Sequence, residues 1–221
     1  NLNKKATFIE GDILNTSDLK LIFKMHKFDV LIHMAAFKAA GESMIKPLVY
    51  SENNILGSIN LISLAVKNGV QKIIFSSTAA VYGEPCYNPI NEKHPINPIN
   101  HYGYTKLFVE NYLSWLAQNT KMKYLALRYF NAAGYTNKTN LIKYKEKNPQ
   151  NLLPIVMEVA SEQKQRFELF GDDYKTPDGT GIRDYIHVTD LASAHLLALD
   201  YLQSHHCLTV NLAAGESHSV L

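Results

Sequence analysis

Cysteine is scarce in this sequence, since Cys86 and Cys207 are the only two. Two distant thiols suit a reducing compartment better than a disulfide framework, so we expect a cytoplasmic protein. The net charge is only +2, and no basic run is long enough to follow a phosphate backbone, so no nucleic-acid partner is expected. The sequence also lacks an apolar stretch of membrane-spanning length, a signal-peptide pattern and an internal repeat. These absences exclude a membrane partner and favour a globular protein.

Three side chains give the main chemical signal: Thr78, Tyr102 and Lys106. Tyr102 and Lys106 are four residues apart in a predicted helix, which puts one above the other on the same face. An ammonium beside a phenol favours the phenolate, so we expect Tyr102 to act as a base at neutral pH, although tyrosine normally titrates near ~10. Thr78 follows an apolar strand and offers a hydroxyl to the same proton. The three residues therefore predict a site that oxidises a carbinol, provided that something accepts the hydride.

The spacing of Tyr102 and Lys106 also fits a chance pair on a solvated helix face. The surroundings favour the functional interpretation, because the pair opens its helix and shares a stripe with Val109 and Leu113. We therefore expect the polar end of this stripe to merge into a buried flank. The run His205-His206-Cys207 is not interpreted as a metal site, because adjacent side chains rarely converge on one ion.

Strands and helices alternate along the first 130 residues. Strands are predicted at 6–9, 29–33, 72–76 and 123–129, and helices at 17–28, 46–68 and 101–119. This alternation predicts an α/β fold with a Rossmann-like, doubly wound parallel sheet. Ligands of such sheets lie outside the carboxyl ends of the strands, which is where Thr78, Tyr102 and Asn131 are expected.

The pattern loosens beyond Tyr129. A polar insert covers 136–150, and we predict helices at 152–164 and 189–201 and short strands at 167–170 and 209–212. We interpret residues 1–130 as a partial Rossmann domain. Residues 131–221 are interpreted as a small, incomplete C-terminal lobe interleaved with further Rossmann elements.

Eight motifs occur in a specific order along essentially the whole chain. They lie at residues 11–13, 30–43, 53–54, 76–83, 102–106, 128–134, 151–154 and 171–188. Together they resemble the extended short-chain dehydrogenase/reductase family, and the last motif is the longest and most specific. The resemblance implies that residues 1–130 bind NAD and that the lobe binds a UDP-sugar.

The resemblance also implies an activity, the interconversion of UDP-glucose and UDP-galactose at sugar C4 in galactose metabolism. Tyr102 would take the proton of the 4-hydroxyl while hydride passes to tightly bound NAD⁺, and the hydride would return to the other face of the 4-keto sugar. Lys106 would lower the pKa of Tyr102 and hold the nicotinamide ribose. A homodimer through a four-helix bundle is implied as well, built from the helices near 46–68 and 101–119. Apolar residues available there are Leu56, Leu61, Leu64 and Leu116.

Binding residues follow from the same resemblance. Those implied for NAD are Asp12, Ile13, Ala35, Ala36, Lys38, Asn53, Tyr102, Lys106 and Tyr129. Those implied for the UDP-sugar are Thr78, Asn131, Asn151, Leu152, Arg183 and Tyr185. Arg183 suits a diphosphate, because its planar fork can bind two oxygens at once.

Four of these residues also have structural interpretations that the sequence leaves open. Arg183 can instead form an ion pair with Asp184, and Lys38 can be a solvated loop lysine. Asn131 and Asp12 can each cap a turn.

Two alternative functions remain at this point. An NDP-sugar 4,6-dehydratase or decarboxylase needs an extra acid or base beside the sugar, whereas Ala79 and Ala80 follow Thr78 here and methyl groups transfer no protons. A non-catalytic nucleotide-sensing protein on the same fold is suggested by the missing glycine-rich phosphate loop.

The missing glycine-rich loop is part of a βαβ unit of about 30 residues or more. We expect this unit before Asn1. We interpret the chain as a fragment trimmed at both ends. Without the loop a pyrophosphate loses its helix-terminus donors, so the 221-residue chain itself is expected to be inactive.

Overall fold

The computed structural model describes residues 5–135, 149 and 151–221, so most of the polar insert predicted at 136–150 lies outside the described residues. The chain forms two compact units. The larger unit consists of the residues up to Tyr129 together with Ser193–Leu212. The smaller unit consists of Phe130–Ala192 and Ala213–Leu221.

The helices and strands of both units are numbered in chain order. The helices are α1 (Thr16–Met25), α2 (Ala40–Ile45), α3 (Pro47–Tyr50), α4 (Gly57–Lys67), α5 (His101–Asn119), α6 (Leu152–Ala160) and α7 (Val188–Ser204). A π-helical turn, Ser51–Leu56, joins α3 to α4, and a 3-10 turn occupies Ala79–Val81. The strands are β1 (Val30–His33), β2 (Lys72–Thr78), β3 (Lys123–Tyr129), β4 (Asn131–Ala133), β5 (Ile182–His187), β6 (Cys207–Leu212) and β7 (Ser217–Ser219).

The larger unit contains a parallel sheet with the strand order β1-β2-β3-β6. Its register pairs His33 with Phe75 and Thr78 with Tyr129, so the carboxyl ends of β1, β2 and β3 lie at one edge. The predicted α/β fold with a parallel sheet is confirmed.

Both faces of this sheet are buried, which explains why its strands read as continuous apolar runs. On one face, β2 and β3 pack against α4 and α5 through residues such as Ile62, Phe75 and Leu113. On the other face they pack against α7 through residues such as Ile74 and Leu202. Each such side chain contributes about 1.5–3 kcal/mol when fully buried.

Several predicted elements differ from the observed ones. The segment predicted as one helix at 46–68 is divided into α3, the π-helical turn and α4, and α2 precedes it. Residues 6–9 and 167–170 form no strand. Phe8 and Phe170 are exposed, and no described strand pairs with either segment, so the ladder hydrogen bonds and burial that a strand needs are missing.

The smaller unit contains α6 and a three-stranded sheet with the order β4-β5-β7. β4 and β5 are parallel, with Asn131 opposite Tyr185, and β5 and β7 are antiparallel. Among the described residues, no helix combines the length and the apolar character that crossing a membrane requires.

Candidate active site

The start of α5 is fixed against the turn that follows β2. Asn100 caps the helix, because its Oδ1 accepts a hydrogen bond from the Gly103 N–H at 2.8 Å. The Tyr102 N–H donates to Ser43 Oγ at 2.9 Å. A Cβ atom on Gly103 would stand 2.6 Å from the Ala80 carbonyl oxygen. Only glycine therefore allows this close approach, which brings the first turn of α5 beside the end of β2.

Thr78 and Tyr102 meet at this point. Thr78 is the last residue of β2, and its Oγ1 accepts a hydrogen bond from the Ala80 N–H at 3.1 Å. The Tyr102 phenol lies close enough to the Thr78 side chain for the two to interact. Burial raises the pKa of Tyr102 above its ordinary value, and the Thr78 side chain acts in the opposite direction. A hydroxyl and a phenol are thus neighbours at the edge of the sheet.

Lys106 lies one turn further along α5 and is buried, with 4% of its surface exposed. Its Nζ donates to the Ser76 carbonyl oxygen at 2.8 Å and is 6.0 Å from the centroid of the Tyr102 ring. Burial lowers the pKa of Lys106 to about 8. The expected lowering of the Tyr102 pKa by Lys106 is contradicted, because burial of the phenol outweighs the other influences on it.

A neutral histidine lies near Lys106. His33 is buried, and its Nε2 is 2.7 Å from Ser58 Oγ. The Ser58 hydroxyl donates its proton to the Asn54 carbonyl oxygen, so His33 Nε2 carries a hydrogen and donates to Ser58. Burial and then the charge of Lys106 lower the pKa of His33 to about 4. The site therefore keeps Lys106 as a cation without adding a second one from His33.

A cavity of about 400 Å³ lies beside β1. It is lined by Gly11, Asp12, Ile13, Ala35, Ala36, Phe37 and Asn53. Five of the residues implied for NAD are thus brought together from three separate segments of the chain. Asp12 also caps the turn before α1, because its Oδ1 accepts a hydrogen bond from the Leu14 N–H at 2.8 Å. Lys38 is exposed and does not line this cavity, so its solvated-lysine interpretation stays open.

Asn54 holds one wall of the cavity and was not singled out for this role from the sequence. Its Oδ1 accepts from the Phe37 N–H at 2.9 Å, and its Nδ2 donates to the Phe37 carbonyl oxygen at 3.0 Å and to Thr105 Oγ1 at 3.2 Å. This buried amide therefore joins the loop at Phe37 to the helix of Tyr102 and Lys106. A polar pair, Asn53-Asn54, inside a predicted apolar helix is the signal that could have identified it.

Tyr129 ends β3, opposite Thr78 in the sheet. Its hydroxyl is 2.8 Å from His195 Nε2, and burial followed by the nearby Tyr102 raises its pKa. Tyr129 thus lies near the phenol of Tyr102, at the same edge of the sheet.

The residues implied for the UDP-sugar, apart from Thr78, lie in the smaller unit. Asn131 Nδ2 donates to the Asp184 carbonyl oxygen at 2.8 Å. Asn151 is the N-cap residue of α6 and makes no capping hydrogen bond with its side chain, and Leu152 begins that helix. Tyr185 is half-buried on β5, beside the charge of Arg183.

Arg183 does not form the alternative ion pair with its neighbour. The Asp184 carboxylate accepts hydrogen bonds from the N–H groups of Ala214 and Gly215 at 2.7 and 2.8 Å. Arg183 is exposed and donates to the Ile182 carbonyl oxygen at 2.7 Å. Among the described residues no salt bridge involves this guanidinium.

Comparisons with known proteins agree with this geometry. Residues 1–213 match the NAD dependent epimerase/dehydratase family. The UDP-glucose 4-epimerase of Halalkalibacterium halodurans is 45% identical over 216 residues, which are 97% of this chain and 64% of that protein. The UDP-glucose 4-epimerase of Mus musculus is 42% identical over 221 residues, covering 99% of this chain and 64% of that protein.

A solved structure is similar to this chain in fold as well as in sequence. The crystal structure of UDP-glucose 4-epimerase from Brucella ovis in complex with NAD superimposes with a TM-score of 0.90 at 42% identity, over 96% of this chain and 66% of that one. The chain thus spans somewhat less than two thirds of the curated relatives it matches. By its sequence and its fold, the chain belongs to the NAD dependent epimerase/dehydratase family.

Proposed function

We propose that the full-length protein interconverts UDP-glucose and UDP-galactose by NAD-dependent oxidation and re-reduction at sugar C4. The observation that carries this proposal is the position of Tyr102 at the start of α5, beside Thr78 at the end of β2 and 6.0 Å from the Nζ of the buried Lys106. The relatives that share 42–45% of this sequence are UDP-glucose 4-epimerases, which supports the same reaction.

The cavity beside β1 fits a dinucleotide. Its walls include small side chains, Ala35 and Ala36, with the carboxylate of Asp12 and the amide of Asn53 as polar partners. Such a combination of apolar walls and a few polar groups is typical of cofactor sites. We propose that these residues and Ile13, with Lys38, Tyr102, Lys106 and Tyr129, hold NAD. When bound, NAD supplies the hydride acceptor and donor for C4.

The protein's own contribution to the reaction is the handling of one proton. Tyr102 takes the proton of the sugar 4-hydroxyl and later returns it, so the site needs no net proton. Thr78 lies beside the phenol and reduces the free-energy cost of its ionised form. Lys106 adds a fixed positive charge near the developing phenolate.

Epimerisation is favoured over the two other functions considered. Loss of water from a 4-keto sugar needs an additional acid and base, and Ala79 and Ala80 fill the turn after Thr78 with methyl groups. A nucleotide-sensing protein does not require a buried lysine of lowered pKa beside a half-buried tyrosine. Perturbed groups of this kind are concentrated at catalytic sites.

We place UDP binding in the smaller unit, which covers most of the lobe predicted at residues 131–221. The exposed Arg183, with no carboxylate partner among the described residues, is suited to the diphosphate. Asn131, Asn151, Leu152 and Tyr185 complete the proposed set.

We also propose a homodimer, in which the helical segment near 46–68 and α5 at 101–119 pack against a second copy as a four-helix bundle. Large apolar side chains are exposed on these elements: Leu48 by 83%, Leu56 by 48% and Trp115 by 67%. Contiguous apolar surface on a protein marks interaction sites.

A cytoplasmic location is supported by the two free cysteines.

The decisive experiment measures turnover of UDP-galactose by the full-length protein and two tyrosine variants. Tyr102→Phe should lower kcat by roughly 10²–10⁴-fold, because it removes the general base. Tyr104→Phe removes a phenol from an exposed position in the same helix and should change kcat less than twofold. Near-normal turnover by Tyr102→Phe would refute the mechanism, and a 4-keto-6-deoxy product from the unaltered protein would refute epimerisation.

A further inference from the structure

A buried ion pair lies one helical turn beyond Lys106 and is not used by the mechanism above. Glu110 on α5 is 6% exposed, and Arg128 on β3 is 4% exposed. Arg128 Nε donates to Glu110 Oε1 at 3.0 Å, and its Nη2 donates to Oε2 at 2.6 Å. The Ser77 hydroxyl donates to the same Oε1. We refer to Ser77, Glu110 and Arg128 as the Glu110 cluster.

The Glu110 cluster is one of three consecutive attachments between β2 and α5. The Ser76 carbonyl accepts a hydrogen bond from Lys106, Ser77 donates to Glu110, and Thr78 lies beside Tyr102. Each residue at the end of the strand therefore contacts a different turn of the helix. The Ser77 attachment does not touch the reacting groups, but along the strand it lies between two residues that contact them, and along the helix it lies one turn beyond Lys106.

We propose that the Glu110 cluster is a positioning device, which sets α5 along β2 so that the Tyr102 phenol lies beside Thr78. This inference rests on the proposed function, because it assigns the cluster to the same proton-transfer site. Ser77, Glu110 and Arg128 are positioning residues, since none of them contacts the phenol.

The chemistry of the cluster is suited to fixing a geometry. A buried ion pair is often no more stabilising than apolar residues of the same volume, so its presence argues for a role in orientation. The bidentate contact of a planar guanidinium with a carboxylate holds both groups in one relative orientation. Burial alone would lower the pKa of Arg128, but the hydrogen bonds and charge of Glu110 raise it above its ordinary value, so Arg128 stays charged.

The far side of Arg128 is held as well. Its Nη1 donates to the Tyr82 hydroxyl at 2.9 Å, and Tyr82 donates to Asn211 Oδ1 at 2.6 Å. Asn211 lies on β6 and bonds to Ile90 and Glu92 of the loop after β2. The guanidinium therefore has fixed partners on both sides and cannot turn away from Glu110 without breaking them.

The test compares Ser77→Ala with Ser63→Ala in the full-length holoprotein. Each variant removes one hydroxyl that bonds to α5, since Ser63 Oγ lies 2.7 Å from the Tyr112 hydroxyl, away from Thr78. Ser77→Ala should lower kcat for UDP-galactose about tenfold, equivalent to ~1.4 kcal/mol, with KM little changed. The acid limb of its pH–kcat profile should move to higher pH, because a Thr78 side chain placed less closely to Tyr102 lowers the pKa of the base by less. Ser63→Ala should leave both readouts unchanged.

Equal kcat values and equal acid limbs for the two serine variants would overturn the proposal, whatever their melting temperatures. If the unaltered protein does not turn over UDP-galactose, the proposed function fails separately. The positioning claim is then tested by ultraviolet titration of the Tyr102 phenol, read as the difference from Tyr102→Phe. A higher pKa in Ser77→Ala than in Ser63→Ala supports the proposal, and identical titrations overturn it.

Discussion

Replacing Lys106 by methionine should remove a pH-dependent component of stability from the nucleotide-free protein. The lysine is buried and donates one hydrogen bond, to the Ser76 carbonyl. Burial lowers its pKa from 10.5 to about 8. Because one pKa unit corresponds to about 1.4 kcal/mol, the charged form costs the folded state about 3 kcal/mol. Methionine has a similar length and carries no charge.

The sign of the effect follows from the two protonation equilibria of Lys106. Below about pH 8 the lysine is charged in both states, and the folded protein bears the whole cost. Between about pH 8 and pH 10.5 the folded state loses the proton while the unfolded state keeps it. The free energy of unfolding therefore rises with pH over this window and gains about 3 kcal/mol in all. The Lys106→Met variant has no such group and should lack this gain.

Urea unfolding of the full-length protein, stripped of nucleotide, measures this difference at a series of pH values. The unaltered protein should gain about 3 kcal/mol relative to Lys106→Met between pH 7 and pH 10.5. Lys67→Met is a matched control, since Lys67 is exposed at the end of α4 and has no burial cost to lose. If the difference between the unaltered protein and Lys106→Met stays flat across this range, the burial argument for Lys106 is refuted.

Two glycine substitutions test the close approaches around the site. A Cβ on Gly57 would stand 2.6 Å from Ile13 Cδ1, so Gly57→Ala should displace Ile13 in the cavity and weaken NAD binding several-fold by calorimetry. Gly41→Ala should leave NAD binding unchanged, because its Cβ would meet nothing within 4 Å. Equal NAD affinities of the two variants would contradict the assignment of this cavity. Gly103→Ala should destabilise the protein by about 1–3 kcal/mol and lower kcat, because its Cβ would collide with the Ala80 carbonyl. Alanine normally favours a helix over glycine by about 1 kcal/mol, so a gain in stability on urea unfolding would refute this close approach.

The long regular elements could be predicted from sequence, because the residues that define each of them all lie within the element itself. The bounds predicted for α5 and β3 match the structure, 101–119 and 123–129. β3 is an apolar run buried on both faces, and α5 has its own cap and apolar stripe. The π-helical turn at Ser51–Leu56 was not predicted, because its residues continue the polar and apolar pattern of the helices around it. Short strands such as β4 and β7 depend on partners far away in the sequence.

The candidate site was only partly accessible to sequence reasoning. The spacing of Tyr102 and Lys106 identified two of its members, but spacing carries no information about burial. The pKa of Tyr102 was therefore expected in the wrong direction. The Glu110 cluster was missed for a related reason: a glutamate four residues after Lys106 resembles an ordinary surface position until the arginine of a neighbouring strand is placed against it.

The strand order β1-β2-β3-β6 affects how the protein forms during its synthesis. The partner that covers the open edge of β3 begins at Cys207, 78 residues after β3 ends at Tyr129. At about 5–20 residues per second, the ribosome needs roughly 4–16 seconds to supply it. During that interval the backbone groups along one side of β3 have no ladder partner, which is the condition that promotes aggregation between nascent chains. The larger unit is therefore expected to depend on chaperone shielding until β6 emerges.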